Sequence, residues 1–267
     1  MLSKKNKNKS IAIVVVFVAL LIWWSVLRFS PNEYYHLVWA ASYQVLVISA
    51  GFIGVILAMD WGSHRSVMGK ALMSFAIGAF FQAFGQTTFS IYNLFLETDI
   101  PYPSLADVGY FGSIPLYILG TLFLAKASGI KVSLKSFQKK VVAIVFPVLM
   151  LIVSYVAFLK DYDFDWAAPV RMLLDFGYPF GQAIYVSIAI LTLSLSKGLL
   201  GGLMKNKIFF LLSALIVQYV ADFNFLYQAI QGTWVNGSYG DLIYMAAYFL
   251  LAMSLLQFNV AYIKQGK

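Results

Sequence analysis

Cysteine is absent from this 267-residue chain, and Asp, Glu, Lys and Arg together make up only 11% of it. Without thiols there is no disulfide framework, no thiolate metal site and no cysteine nucleophile. Histidine is nearly absent too. His36 and His64 fall near the ends of apolar runs on opposite sides, too far apart to share a metal. HExxH, a P-loop and a Gly-rich dinucleotide fingerprint are all missing. The sequence therefore points to no metal, no cofactor and, more readily than not, no enzyme. The scarcity of charge carries further, because soluble domains hold about 25% charged residues. A soluble core of this size has no room for the 61% of side chains that are apolar, whereas a lipid bilayer solvates them directly.

What is present is a series of apolar runs, near 11–28, 37–59, 69–96, 105–126, 140–159, 168–195, 208–231 and 241–263. Each is close to or above the roughly 20 residues that span a bilayer. The breaks carry turn chemistry, as at Ser30-Pro31-Asn32, Trp61-Gly62-Ser63, Pro101-Tyr102-Pro103, Gly201-Gly202 and Asn236-Gly237. The expected fold is an all-α polytopic membrane helix bundle of about eight transmembrane helices, occupying 1–267 as one integral membrane domain. The first run follows four lysines but lacks a small-residue cleavage site after Trp23-Trp24, so it reads as a retained helix rather than a signal peptide.

The net charge of +8 is not gathered into the patch or stripe that nucleic acid requires. It alternates between loops instead. Sixteen of the 19 Lys and Arg residues lie on one side, including Lys4 to Lys9, Arg65, Lys131 to Lys140, Lys197 to Lys207 and Lys264. The other side holds Arg28, Lys160 and Arg171, with Glu33, Glu97, Asp99, Asp161, Asp163 and Asp165. The positive-inside rule then places both termini in the cytoplasm, with the chain in the inner or plasma membrane.

An internal repeat is also visible. Ser104-Leu-Ala-Asp107, with Tyr110 after it, matches Ser238-Tyr-Gly-Asp241, with Tyr244 after it, at an offset of 134. Upstream, Gln82 and Gln86 match Gln218 and Asp222 at an offset of 136. The expectation is two four-helix halves, 1–134 and 135–267. An even helix count gives both the same orientation, so the repeat is parallel about the membrane normal.

Pro101-Tyr-Pro-Ser-Leu-Ala-Asp107-Val-Gly-Tyr110, with Pro115-Leu116 following, resembles the P-x-P-S-x-A-D segment of a bacterial multi-helix membrane sensory module. Val220-Ala-Asp222 through Tyr227 and Gly237 through Asp241 fit the same pattern. Such modules stand N-terminal to diguanylate cyclase, phosphodiesterase and histidine kinase domains. The resemblance implies a sensory input role. Because the sequence stops at Lys267 without an output domain, it also implies signalling through a partner protein or a homo-oligomer.

Ionisable groups in spanning segments usually face a bundle interior or water. Asp107 and Asp241 start helices, where a carboxylate caps backbone donors and favours the dipole, or else lines a site. Arg171 and Asp175 share a helix face at i,i+4, as an ion pair or as a charged pocket wall. Asp222 lies within a spanning run, with Gln218 one turn before it and Asn224 and Tyr227 after it, at a depth shared by Gln82 and Gln86. This layer reads either as interhelical hydrogen bonding or as a pocket for a small ligand or cation entering from outside. The candidate ligand-binding set is Gln82, Gln86, Asp107, Arg171, Asp175, Gln218, Asp222, Asn224, Tyr227 and Asp241. The leading functional expectation is a sensory or ligand-binding module in contact with the lipid bilayer. The alternative is a small ion or solute transporter or channel, and the third is a membrane enzyme acting on lipid.

Overall fold

A computed structural model describes residues 4–98, 100–127, 137–156, 160, 162, 164–195 and 203–259. Among these residues the chain is all-α. The helices are α1 (Lys4–Leu27), α2 (Glu33–Ser42), α3 (Gln44–Asp60), α4 (Val67–Leu94), α5 (Leu105–Ala127), α6 (Phe137–Ser154), α7 (Pro169–Leu195), α8 (Leu203–Ile230) and α9 (Tyr239–Leu256). A short 3₁₀ turn, Ser63–Arg65, precedes α4. Among the described residues, seven segments are long and apolar enough to cross a membrane. They are Asn6–Leu27, Glu33–Asp60, Val67–Leu94, Leu105–Ala127, Pro169–Leu193, Asn206–Ala229 and Tyr239–Leu256. The protein is thus a multi-pass membrane protein. The eighth expected run, 140–159, falls on α6, and its last three residues lie outside the described set, as do the expected loop cations Lys131 and Lys197.

Local chemistry sets the helix starts. Asn32 Oδ1 accepts the Tyr34 amide at 3.0 Å, so the second span begins at Glu33, four residues before the apolar run does. Ser66 Oγ accepts the Gly69 amide at 2.8 Å to open α4. At 28 residues α4 is about 42 Å long, well beyond a 30 Å hydrocarbon core. The second span breaks for one residue at Tyr43, between α2 and α3.

Six helices close a ring in which each packs on the next: α3, α4, α5, α7, α8, α9 and back to α3. The buried apolar side chains form one continuous cluster through this ring. α1 lies outside it against α9 and α2, with Phe17 stacked on Phe249 at 4.1 Å and the Trp39 indole donating to the Leu20 carbonyl at 2.9 Å. α6 packs on α7. The outward faces of α1 and α6 are apolar and exposed, as at Val15, Ile22, Val26, Leu149, Ile152 and Val153, which suits lipid contact.

α4 and α5 approach so closely that their backbones touch. A Cβ placed on Gly109 would lie 2.4 Å from the Gly85 amide nitrogen and 2.5 Å from the Phe81 carbonyl oxygen. Small residues at such a crossing permit the van der Waals contact that holds helices together in lipid.

Candidate functional site: a tyrosine–carboxylate layer

α4 and α8 finish at the end of the bundle where α2, α5, α7 and α9 begin. Four aspartates gather toward this end, and each is held by hydroxyl or amide donors. Asp107, in the first turn of α5, accepts the Ser104 amide at 2.7 Å, while Ser104 Oγ accepts the Ala106 amide at 3.2 Å. This is a capping-box arrangement. The other Asp107 oxygen accepts the Tyr178 hydroxyl of α7 at 2.8 Å. Asp241, in the first turn of α9, accepts the Gly237 amide at 2.6 Å and the Tyr43 hydroxyl at 2.7 Å. Both carboxylates therefore cap a helix and also tie it to a neighbouring one.

Asp222 lies eight residues before the end of α8, about 12 Å along the axis. One oxygen accepts the Tyr244 hydroxyl of α9 at 2.7 Å and the Gln218 amide at 3.0 Å. The other accepts the Gln182 amide of α7 at 2.7 Å. Its three donors come from three helices, and all are neutral. Across the ring, Gln86 accepts the Tyr110 hydroxyl at 2.9 Å and donates to the Ala40 carbonyl at 3.2 Å. Gln82 donates to Ser113 Oγ at 2.8 Å and accepts the Tyr248 hydroxyl at 3.3 Å. These bonds link α2, α4, α5 and α9. Phe89 and Phe225 meet edge to face between α4 and α8, with ring centres 6.5 Å apart.

Asp175 is nearer the surface. It accepts the Tyr102 hydroxyl at 2.6 Å and the Tyr162 hydroxyl at 2.7 Å, and Arg171 Nε stands 3.8 Å away. The expected ion pair forms, but Arg171 is largely exposed and two phenols dominate the carboxylate's contacts. Tyr102 and Tyr162 lie outside the spanning segments. Desolvation, reinforced by the bond to Asp175, pushes the Tyr162 phenol up to about 12 and moves Tyr102 in the same direction.

Of the ten candidates, the structure brings Gln218 and Asp222 into one cluster and Gln82 and Gln86 into the facing one. Asp107 and Asp241 sit at the helix starts beside them. Asp175 and Arg171 form a separate surface group. Asn224 and Tyr227 do not join the layer: the Asn224 carbonyl accepts the Gln228 amide one turn on, at 3.2 Å, and Tyr227 is exposed. Sequence reading missed Tyr43, Tyr178, Gln182 and Tyr248, and passed over Tyr110 and Tyr244 although both stood in the repeated motif. A signal was available for Tyr43 and Tyr178, which lie 135 residues apart, within one residue of the motif offsets.

The layer is closely packed. The crevice beside Gln218, lined also by Tyr117, Ala214, Leu215, Ala247 and Leu251, has no volume for a water. A cavity of about 10 Å³ lies elsewhere, between α5, α7 and α8, lined mainly by Leu124, Ala189, Ile208, Leu211 and Leu215. It is at the lower limit for one water, and Thr121 and Thr192 there already bond to carbonyls of their own helices. Among the described residues no three His, Asp or Glu side chains converge on a point. No family model matches the chain, and no curated protein or solved structure is significantly similar to it.

Proposed function

We propose that this protein is a sensory or ligand-binding module of the cell membrane, with the tyrosine–carboxylate layer as its site. In this reading α6 is the eighth span, both termini are cytoplasmic, and the layer faces outward. The observation that carries it is Asp222, a carboxylate inside a spanning helix held by neutral donors from α7, α8 and α9. A membrane-embedded acid without a basic partner is costly and commonly functional. Each bond to it crosses a helix interface or fixes a rotamer beside one. A ligand that replaces one donor therefore changes how three helices pack, and that change is the signal delivered to a partner or a second copy.

The division into two parallel halves, 1–134 and 135–267, is part of the same proposal. Tyr43 bonds Asp241 and Tyr178 bonds Asp107, so the tyrosine of each half would hold the carboxylate of the other. Tyr110 bonds Gln86 as Tyr244 bonds Asp222. In the ring order α3 stands opposite α7, α4 opposite α8 and α5 opposite α9.

The test is thermal unfolding of the full chain in lipid nanodiscs against a panel of small polar solutes and salts. At least one is expected to raise the unfolding temperature of the wild type and to leave Asp222→Asn unmoved, since binding to the native state alone stabilises it. A panel to which both proteins respond identically would refute the site. Transport is the second reading, favoured by the Tyr43–Asp241 and Tyr178–Asp107 bonds, because they lie where two halves would rock. Solute uptake into proteoliposomes that Asp222→Asn abolishes would establish it in place of the sensor.

A further inference from the structure

We infer that the Asp222 cluster binds a monovalent metal cation of about the size of sodium. The inference rests on the reading of Asp222 as a ligand site, and it names the ligand class. The groups around the carboxylate are Gln182, Gln218 and Tyr244, which offer one amide oxygen each from the glutamines and one phenolic oxygen. A glutamine amide exchanges its oxygen for its nitrogen by a half-turn of the terminal torsion. With both amides turned, Asp222 Oδ1 and Oδ2, Tyr244 Oη, Gln182 Oε1 and Gln218 Oε1 make an all-oxygen set. Hard cations select such ligands. A single carboxylate balances a single positive charge, which favours a monovalent ion over calcium or magnesium.

The distances suit this exchange. Two ligands at right angles around an ion with bonds of about 2.4 Å stand about 3.4 Å apart. Gln182 and Gln218 now stand 2.7 and 3.0 Å from the carboxylate oxygens. Opening the site therefore takes roughly half an ångström on each side, within the reach of side-chain torsions. Gln182 and Gln218 are buried, and Asp222 is mostly buried between them.

An independent observation lies on the same two helices. Tyr185, fully buried and one turn along α7 from Gln182, has a hydroxyl with no hydrogen-bond partner. The Tyr219 hydroxyl, one turn before Asp222 on α8, has none either. Buried hydroxyls are normally satisfied by protein, water or an ion. Two spare oxygens on the helices that carry Gln182 and Asp222 can complete a coordination shell or hold its water.

The test is equilibrium binding of radiolabelled sodium to the full chain in nanodiscs, with choline replacing sodium as the inert cation. Saturable binding is expected, weakened about tenfold or more by Asp222→Asn and by Gln182→Ala. Gln182→Glu adds a second carboxylate and is expected to let calcium displace sodium. This gain of function keeps the proposal testable if the loss variants fold poorly. Absence of saturable sodium binding in the wild type, or binding that Asp222→Asn leaves unchanged, overturns the proposal. If sodium fails to bind while other solutes still stabilise the wild type through Asp222, the cation is refuted and the ligand site stands. If no solute does so either, both fall.

Discussion

Replacing Gly109 by alanine tests the crossing of α4 and α5 and, through it, the polar layer. The added Cβ would lie 2.4 Å from the Gly85 nitrogen, 2.5 Å from the Phe81 carbonyl oxygen and 2.8 Å from the Gly85 Cα. All three are backbone atoms, so no rotamer change relieves the contact and the helices must separate. Ordinary contact begins near 3.4 Å, so the separation is about 1 Å. The neighbouring residues, Tyr110 and Gln86, share a hydrogen bond of 2.9 Å across the same interface. A 1 Å separation stretches it beyond bonding range. Overpacking costs about 1–3 kcal/mol and the lost membrane hydrogen bond adds about 0.6 kcal/mol, a total near 2–4 kcal/mol. Unfolding titrations in mixed micelles measure this. Two controls separate the contributions. Tyr110→Phe removes the bond alone and is expected to cost about 0.6 kcal/mol. Gly112→Ala brings its Cβ 2.5 Å from an atom of the Phe81 ring, a side chain able to turn away, so it costs less than Gly109→Ala. Gly109→Ala within about 0.5 kcal/mol of wild type, or Gly112→Ala the worse of the two, would refute the backbone-contact argument.

Tyr43→Phe and Tyr178→Phe each remove one hydroxyl from a carboxylate and are expected to cost about 0.6–1.7 kcal/mol apiece. The two bonds share no partner, so the double variant is expected to cost their sum, and a double-mutant cycle with more than about 0.5 kcal/mol of coupling contradicts that independence. Gly232 and Gly237 both have positive φ, +64° and +73°, but a Cβ at Gly232 meets open space whereas one at Gly237 lies 2.8 Å from the His36 Cβ. Alanine at 237 is therefore expected to destabilise by at least about 1 kcal/mol more than alanine at 232, read in the same titration. The raised Tyr162 pKa favours the neutral phenol in the folded state, so its contribution to stability is full below pH 10 and is lost as pH rises toward about 12. Alkaline unfolding of Tyr162→Phe should show a shallower decline over that window than wild type, and identical curves would contradict the assignment.

The membrane location, the helix positions and much of the capping follow from the sequence by itself. Lipid imposes a length and an apolar composition on every crossing, and these are properties of contiguous residues. The same is true of Asp107 and Asp241 as caps, because a capping carboxylate acts on amides within four residues of itself. The depth shared by Gln82, Gln86, Gln218 and Asp222 could be counted along each helix at 1.5 Å per residue.

Which side chains meet was decided by the tertiary structure. Helix rotation about its own axis is set by packing against neighbours, such as the Gly85–Gly109 contact, and an apolar spanning helix carries little sequence record of it. Asn224 and Asp222 stand two residues apart on α8, yet Asp222 meets Gln182 and Tyr244 while Asn224 pairs with Gln228. Tyr178 and Gln182 on α7 and Tyr248 on α9 are polar groups scattered along largely apolar helices, and Tyr43 sits at the break between α2 and α3. Nothing local marks a tyrosine as the donor to a carboxylate 198 residues away, as Tyr43 is to Asp241. Closing the ring of α3, α4, α5, α7, α8 and α9 brings these groups together and gives Asp222 the donors from α7 and α9 that its own helix does not supply.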